Sequence, residues 1–475
     1  MKVLLINPPD QNTIVADNPR FLDEERGYNP PLGLLYIAAY LRAHSSHEVE
    51  VLDAVAEQIG YDKFASIISQ KRPDVVGITA MTFTLIDVLK TIKIVKDVSK
   101  DIKVVLGGPH ATIYPLETIK LPEVDFVVKQ EGEITFSKLL ENFSNKENLR
   151  KVKGIAFKNN SNEIIDTGPN EFIEDLDSLP FPARDLVPYK KYTSVLSKHK
   201  FITTMFTSRG CPFECSFCDR PHMGKRFRAH SVVNVVDEME ACLGLGIKEI
   251  LIYDDTFTVD RKRVMDICNE ILRRKLKITW DIRARVDTLD EEMLNRLKEA
   301  GCERIHYGVE AGTEKILKVL KKGVSLRQVE EVFKLTKKAG IYTLAYFMIG
   351  SPTETKEDIL KTIDFAKRLN PDYASITITT PFPATELYKW ALEQKVITHD
   401  YWREFARDPS KGVVSKYWEK ELNREELLSL LNFAYKSFFL RPKYIFKKIL
   451  DVRSYRELTK GISAGLKLAK AVLRS

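Results

Sequence analysis

Short apolar runs recur along the first third of the chain, separated by longer stretches in which apolar residues return every three or four positions. The runs Lys2–Asn7, Val49–Ala54, Asp74–Ala80, Lys103–Leu106 and Asp125–Val128 predict strands, and periodic stretches such as Leu34–Arg42 and Leu85–Val98 predict helices. A connector follows over residues 146–198. Asn159-Asn160-Ser161-Asn162 in it carries turn chemistry, and Leu179-Pro180-Phe181-Pro182-Ala183-Arg184 is punctuated by proline. A second alternating series occupies 199–395. Its strands are expected at Phe201–Thr207, Glu249–Tyr253, Ile278–Arg283, Arg304–Val309, Thr343–Ile349 and Tyr373–Thr379. Helices are expected at Val232–Leu243, Arg261–Arg274, Glu291–Glu299 and Lys356–Leu369. Residues 396–475 show no strand pattern and read as helical.

The fold class is therefore α/β. Residues 1–145 predict a parallel sheet covered on both faces, a Rossmann-like or flavodoxin-like domain. Six β/α units are too few for an eight-unit barrel and predict a partial (β/α)6 TIM-like barrel followed by a C-terminal helical region. In both architectures ligands bind at the carboxyl ends of the strands. In the first unit those ends carry Asn7-Pro8-Pro9, Thr79 and Thr82, Gly107-Gly108-Pro109-His110 and Glu131-Gly132-Glu133.

A chain of 475 residues exceeds one core, and its 44% hydrophobic and 29% charged residues are those of a globular protein. No apolar run is long enough to span a bilayer. The first residues break at Pro8-Pro9 without a cleavage site, so they read as a buried strand and a cytoplasmic protein is expected. Of the formal charge of +8, the segment Lys436–Ser475 supplies +9 (eleven Lys/Arg, two Asp/Glu). Two accounts of this basic, aromatic tail compete: a helical cap with a solvated basic face, and peripheral contact with an anionic membrane, aided by the amphipathic end Gly465–Arg474. No recognised nucleic-acid module accompanies the charge, so no nucleic-acid partner is expected.

Three of the six cysteines lie together in Ser208-Arg209-Gly210-Cys211-Pro212-Phe213-Glu214-Cys215-Ser216-Phe217-Cys218, directly after the first strand of the second series. Three thiolates spaced C-x3-C-x2-C on one tight loop can hold three irons of a cubane and leave the fourth iron open. A zinc site completed by a fourth ligand is the alternative, with His222 and His230 the nearest candidates. Cys242, Cys268 and Cys302 read as small buried residues.

The loop resembles that of the radical S-adenosylmethionine (SAM) superfamily, which places an aromatic residue before the third cysteine; Phe217 fills that position. The resemblance implies that Cys211, Cys215 and Cys218 hold a [4Fe–4S] cluster and that SAM chelates the open iron. Reductive cleavage of SAM then gives methionine and a 5′-deoxyadenosyl radical. It also implies an external electron donor of ferredoxin or flavodoxin type. Asp255, in Asp254-Asp255-Thr256-Phe257, stands where the family often has a Gly-Gly-Glu stretch that receives the SAM amino group. The glycine pair is absent here, and a helix N-cap is the competing role. By the same resemblance Glu310, in Gly308-Val309-Glu310-Ala311-Gly312, contacts SAM. Gly350, in Met348-Ile349-Gly350-Ser351-Pro352-Thr353-Glu354, belongs to an adenine-contacting segment. Arg283 and Arg285 either pair with the SAM carboxylate or lie solvated on the surface.

A Rossmann-like unit ahead of such a barrel is similar to the cobalamin-binding class, which includes hopanoid methylases, the anaerobic magnesium-protoporphyrin ester cyclase and archaeal lipid-modifying enzymes. That resemblance places Asn7, Thr79, Gly107 and Gly108 against cobalamin, with Thr82 as a further hydroxyl. The D-x-H-x-x-G loop that supplies a lower cobalt ligand is missing. His110 is either a substitute or a hydrogen-bonding residue, and a vestigial sheet without cofactor is the alternative. The implied activity is methylation of an unactivated carbon on a small-molecule or lipid substrate. Radical cyclisation or carbon–carbon coupling is the second reading, and a non-catalytic cobalamin or redox sensor the third.

Overall fold

The computed structural model describes residues 1–14, 27–219, 223–410 and 412–450. Seven strands form the first sheet: β1 Lys2–Asn7, β2 Glu48–Asp53, β3 Val75–Thr79, β4 Lys103–Gly107, β5 Phe126–Val128, β6 Ile155–Lys158 and β7 Ile164–Asp166. Their order is β2-β1-β3-β4-β5-β6-β7. The first five run parallel, whereas β6 and β7 add antiparallel at the edge. The stretch 146–198, read from sequence as a connector, thus extends the sheet. The Asn159–Asn162 turn closes its hairpin, where Asn159 Oδ1 accepts from the Ser161 and Glu163 amides. Val3–Ile6 of β1 are all buried, as expected for a strand covered on both faces.

Beyond β8 (Thr203–Met205), a two-stranded ribbon of β9 (Ser208–Arg209) and β10 (Arg228–Ala229) closes the base of the cysteine loop, pairing Arg209 with Arg228. The barrel continues with β11 Glu249–Ile252, β12 Thr279–Ala284, β13 Cys302–Glu310, β14 Tyr342–Ile349 and β15 Tyr373–Ile378. All six barrel strands are parallel, in the order β15-β14-β13-β12-β11-β8, and β15 does not pair with β8, so the barrel is open. Side-chain caps set the helix starts: Ser231, Asp260, Asp290 and Thr385 each accept from a backbone amide of the first turn, and Ser325, Thr355 and Asn423 form capping boxes. Cys242, Cys268 and Cys302 are buried in the barrel core.

The C-terminal region divides between the two units. Leu387, Tyr388, Ala391, Tyr401, Trp402 and Phe405 pack into the core of the N-terminal sheet. The helix Arg424–Phe439 packs on the barrel, where Tyr435 Oη donates to Ile376 O at 2.9 Å. The helix Pro442–Leu450 sits at the amino-terminal end of β15, with Tyr444 Oη donating to Asp372 O and Lys447 paired with Asp372. The segment Gly465–Arg474 lies outside the described residues. Among the described residues no helix is long and apolar enough to cross a membrane.

Candidate cofactor sites at the domain interface

The carboxyl ends of β3, β4 and β5 face the barrel mouth across a cavity of about 450 Å³. The N-terminal unit contributes Gly77, Thr79, Gly107, Gly108, Glu131 and Glu133 to its walls, and the barrel side contributes Phe206, Ser208, Arg209, Tyr253 and Asp255. Glycine makes the inner end possible. A Cβ at Gly77 would come within 2.8 Å of Leu5 and 3.4 Å of Phe136, and one at Gly108 (φ +92) within 2.9 Å of Ala80 O. Three expected residues, Thr79, Gly107 and Gly108, line this cavity. Asn7 and Thr82 do not. Asn7 donates to Asp53 at 2.8 Å, and Thr82 is buried against His110 Nδ1 at 3.1 Å. His110 is fully buried, and desolvation pushes its imidazole down to about 4, so it is neutral and hydrogen-bonded to Thr82.

The cysteine loop leaves β9 at the cavity's edge. Fully buried Asp254 anchors its base: Oδ1 accepts from the Thr207 amide at 2.6 Å, and Oδ2 accepts from the Thr207 and Ser208 hydroxyls at 2.5 and 2.6 Å. In the loop, Ser216 N donates to Leu320 O and Ser216 O accepts from Leu387 N. Phe217 packs against both the barrel core and the N-terminal core. Cys211, Cys215 and Cys218 are free thiols. Desolvation raises the Cys215 thiol, opposed by Lys322 and Arg285; desolvation and then Asp255 push Cys218 up to about 12. Bare thiolates are thus disfavoured here, and ligation to cationic iron would compensate their charge. Among the described residues no group of three or more His, Cys, Asp or Glu is arranged to hold a single metal ion. His230, considered as a fourth zinc ligand, pairs with Asp177 at 3.2 Å; His222 lies outside the described residues. The donor set is three thiols on one loop with no further cysteine at hand, which fits a three-cysteine cubane.

Around the loop the expected SAM-side residues divide. Asp255 stands open on the cavity wall, its carboxyl raised by desolvation and by neighbouring Asp254. Arg283 lies over the Tyr253 ring at 3.6 Å and donates to Ile252 O, and it makes no ion pair among the described residues. Arg285 is buried rather than solvated: it forks onto Asp287, donates to Lys322 O, covers Phe213 and reaches Cys215 Sγ at 3.8 Å. Glu310 (φ 69) is buried and already paired with Lys322 at 2.8 Å. At Gly350 (φ +74) a Cβ would come within 2.6 Å of Leu427, so the glycine serves the packing of the helix Arg424–Phe439.

Sequence reasoning placed Glu131 and Glu133 at a ligand-binding strand end and gave Arg209 no role, and it did not link them. Arg209 reaches Glu131 at 2.9 Å and Glu133 at 2.6 Å, and Arg228 reaches Glu131 at 2.8 Å, all four side chains being buried. Although burial opposes ionisation, Arg228 and Arg209 hold the Glu131 carboxyl below its usual range.

The radical SAM superfamily profile matches residues 205–366, and the B12 binding domain profile matches residues 22–140. The chain belongs to the radical SAM superfamily, in the group that joins a B12 binding domain to the radical SAM domain. It is 38% identical over 455 residues, 95% of each chain, to an uncharacterized methyltransferase of Pyrococcus horikoshii. It is 30% identical over 444 residues to the anaerobic magnesium-protoporphyrin IX monomethyl ester cyclase of Rubrivivax gelatinosus, covering 91% of this chain and 78% of the relative. In fold it is similar to the radical SAM methyltransferase TsrM of Kitasatospora setae, solved with cobalamin and a [4Fe–4S] cluster (TM-score 0.74, 19% identity, 100% of this chain and 99% of that one).

Proposed function

We propose that the chain is a cobalamin-dependent radical SAM methyltransferase acting on a carbon of a small molecule. The observation that carries this reading is the adjacency of two sites: three free thiols on one loop, and beside them a cavity walled jointly by the Rossmann-like sheet ends and the barrel mouth. When bound, the cluster supplies the electron that cleaves SAM to a 5′-deoxyadenosyl radical, and cobalamin supplies the methyl group. Cys211, Cys215 and Cys218 hold the cluster. Asp255 takes the SAM ammonium and Arg283, which makes no ion pair among the described residues, takes the SAM carboxylate. Thr79, Gly107 and Gly108 receive the corrinoid, and Gly77 keeps the slot beneath them open. Glu310 acts through Lys322, and Phe217 and Gly350 serve packing around the site.

The electron donor in this reading is a ferredoxin or flavodoxin. The C-terminal helices expose Phe433, Leu440, Ile445 and Phe446 near Lys436 and Lys443, a surface suited to peripheral contact with an anionic bilayer. Sedimentation with phosphatidylglycerol but not phosphatidylcholine vesicles tests that contact.

The cyclase relatives, at 30 and 31% identity against 38 and 28% for two methyltransferase relatives, support a second reading, oxidative cyclisation. Anaerobically reconstituted protein, reduced with SAM and cobalamin and supplied with a small-molecule extract, decides between them. Methylation adds one methylene to the product mass, whereas cyclisation removes two hydrogens. Absence of 5′-deoxyadenosine from protein carrying a full cluster overturns both.

A further inference from the structure

The motif Glu131-Gly132-Glu133, at the end of β5, takes no part in the reading above, yet both carboxylates reach across to the ribbon from which the cysteine loop springs. Arg209 spans Glu131 and Glu133, and Arg228, its partner across the ribbon, donates to both oxygens of Glu131 at 3.0 and 2.8 Å. The anchorage continues away from the ribbon. Glu131 Oε2 accepts from the Ile173 amide at 2.7 Å, Arg228 donates to Ile173 O at 2.6 Å, and the Arg209 guanidinium covers the Tyr36 ring. Arg209, Glu131 and Glu133 also form part of the cavity wall.

Two arginines and two glutamates cancel in charge, so the group has no excess charge with which to attract a ligand. A buried ion-pair group of this kind adds little net stability, because desolvation offsets the attraction. Loss of any one member leaves the buried group with one uncompensated charge, so it tolerates one registration of the two units and penalises others. The ribbon pins residues 209 and 228, the two ends of the loop that carries all three cysteines.

We infer that Glu131, Glu133, Arg209 and Arg228 are positioning residues that clasp the cysteine loop to the corrinoid cavity, so that occupancy of either site favours occupancy of the other. The inference rests on the assignment of the cluster to the loop and of cobalamin to the cavity. Arg209 stands in the cavity wall and is one residue removed from Gly210 and two from Cys211. At Gly210 (φ +83) a Cβ would come within 2.3 Å of Arg226 O, so the loop has little slack to absorb a shift.

Coupling of two binding sites is reciprocal and is measured as a ratio of affinities. The full chain is prepared anaerobically with the cluster loaded and, separately, with iron and sulfide removed by chelation. The Kd for hydroxocobalamin is measured on both. For the wild type the cluster-loaded form is expected to bind at least fivefold more tightly. In Glu133→Gln, which keeps the Glu131–Arg228 pair, iron content and folding are retained and the ratio falls to within twofold of one. Arg209→Lys, which keeps the charge but cannot span both carboxylates, gives the same loss. Equal ratios in wild type and both variants overturn the clasp, as does a wild-type ratio of one. If the wild type takes up neither iron nor cobalamin, the cofactor assignment falls first and the clasp with it, an outcome distinct from full loading without coupling.

Discussion

Replacing Asp254 by alanine tests the claim that one buried carboxylate holds the base of the cysteine loop. Its oxygens accept one amide and two hydroxyl protons at 2.5 to 2.6 Å. Charge-assisted bonds contribute about 1.5–3 kcal/mol each, and an orphaned buried donor costs about 1–3 kcal/mol. The two hydroxyls can rotate toward other acceptors, but the Thr207 amide cannot, and removal of a buried charge returns part of its desolvation cost. A net loss of about 3 kcal/mol in the local opening free energy follows. At 1.4 kcal/mol per factor of ten, amide exchange in a peptide covering 207–218 should accelerate roughly a hundredfold. Mass-spectrometric hydrogen exchange on the anaerobic full chain reads this directly, with peptides from β1 to β4 as the internal control. Asp254→Asn keeps an acceptor for the Thr207 amide and should accelerate exchange by only about tenfold. The reasoning is refuted if Asp254→Ala exchanges like wild type over 207–218 and still takes up a full complement of iron.

Three further outcomes are expected. Alanine at Cys211, Cys215 or Cys218 should abolish the brown colour and acid-labile sulfide after reconstitution while the circular dichroism spectrum stays unchanged; a full cluster in any single variant would remove that cysteine from the ligand set. Gly77→Val places two methyls in the slot between Leu5 and Phe136 and should weaken cobalamin retention by about tenfold with iron content unaltered, checked by the corrinoid absorbance that survives gel filtration. Glu354, fully buried with its carboxyl raised by desolvation from 4.5 to about 7, stays protonated in the folded chain over a range in which the unfolded chain ionises. The folded state binds more protons there, so this group's contribution to stability falls as pH rises from about 4.5 to about 7. Glu354→Gln should flatten the dependence of the unfolding midpoint between those limits, and parallel curves for the two proteins would contradict it.

Local pattern sufficed for most elements. The helices Leu85–Val98, Glu291–Glu299 and Lys356–Leu369 fall where periodicity places them, and the parallel strands lie within one or two residues of their apolar runs. The hairpin β6–β7 did not announce itself, because its strands are short and its partner, β5, lies far back in the chain. At the site, Thr79, Gly107, Gly108 and Asp255, all named from the sequence at strand carboxyl ends, line one cavity. The rule that ligands gather at such ends cannot say which strand-end residues are consumed by neighbours: Asn7 by Asp53, Thr82 by His110, Glu310 by Lys322, Gly350 by Leu427. The clasp is invisible in sequence for a further reason. Glu131 and Arg209 are seventy-eight positions apart, and neither spacing nor periodicity links charges brought together only when two units dock.

The helix Pro442–Leu450 rests at the amino-terminal end of β15, while the cysteine loop and the cavity open at the opposite pole of the barrel. A molecule tethered to a bilayer through that helix would hold its reactive opening toward bulk water. Compounds already dissolved could enter unaided, whereas a greasy one would first have to be lifted out of the lipid by some other carrier.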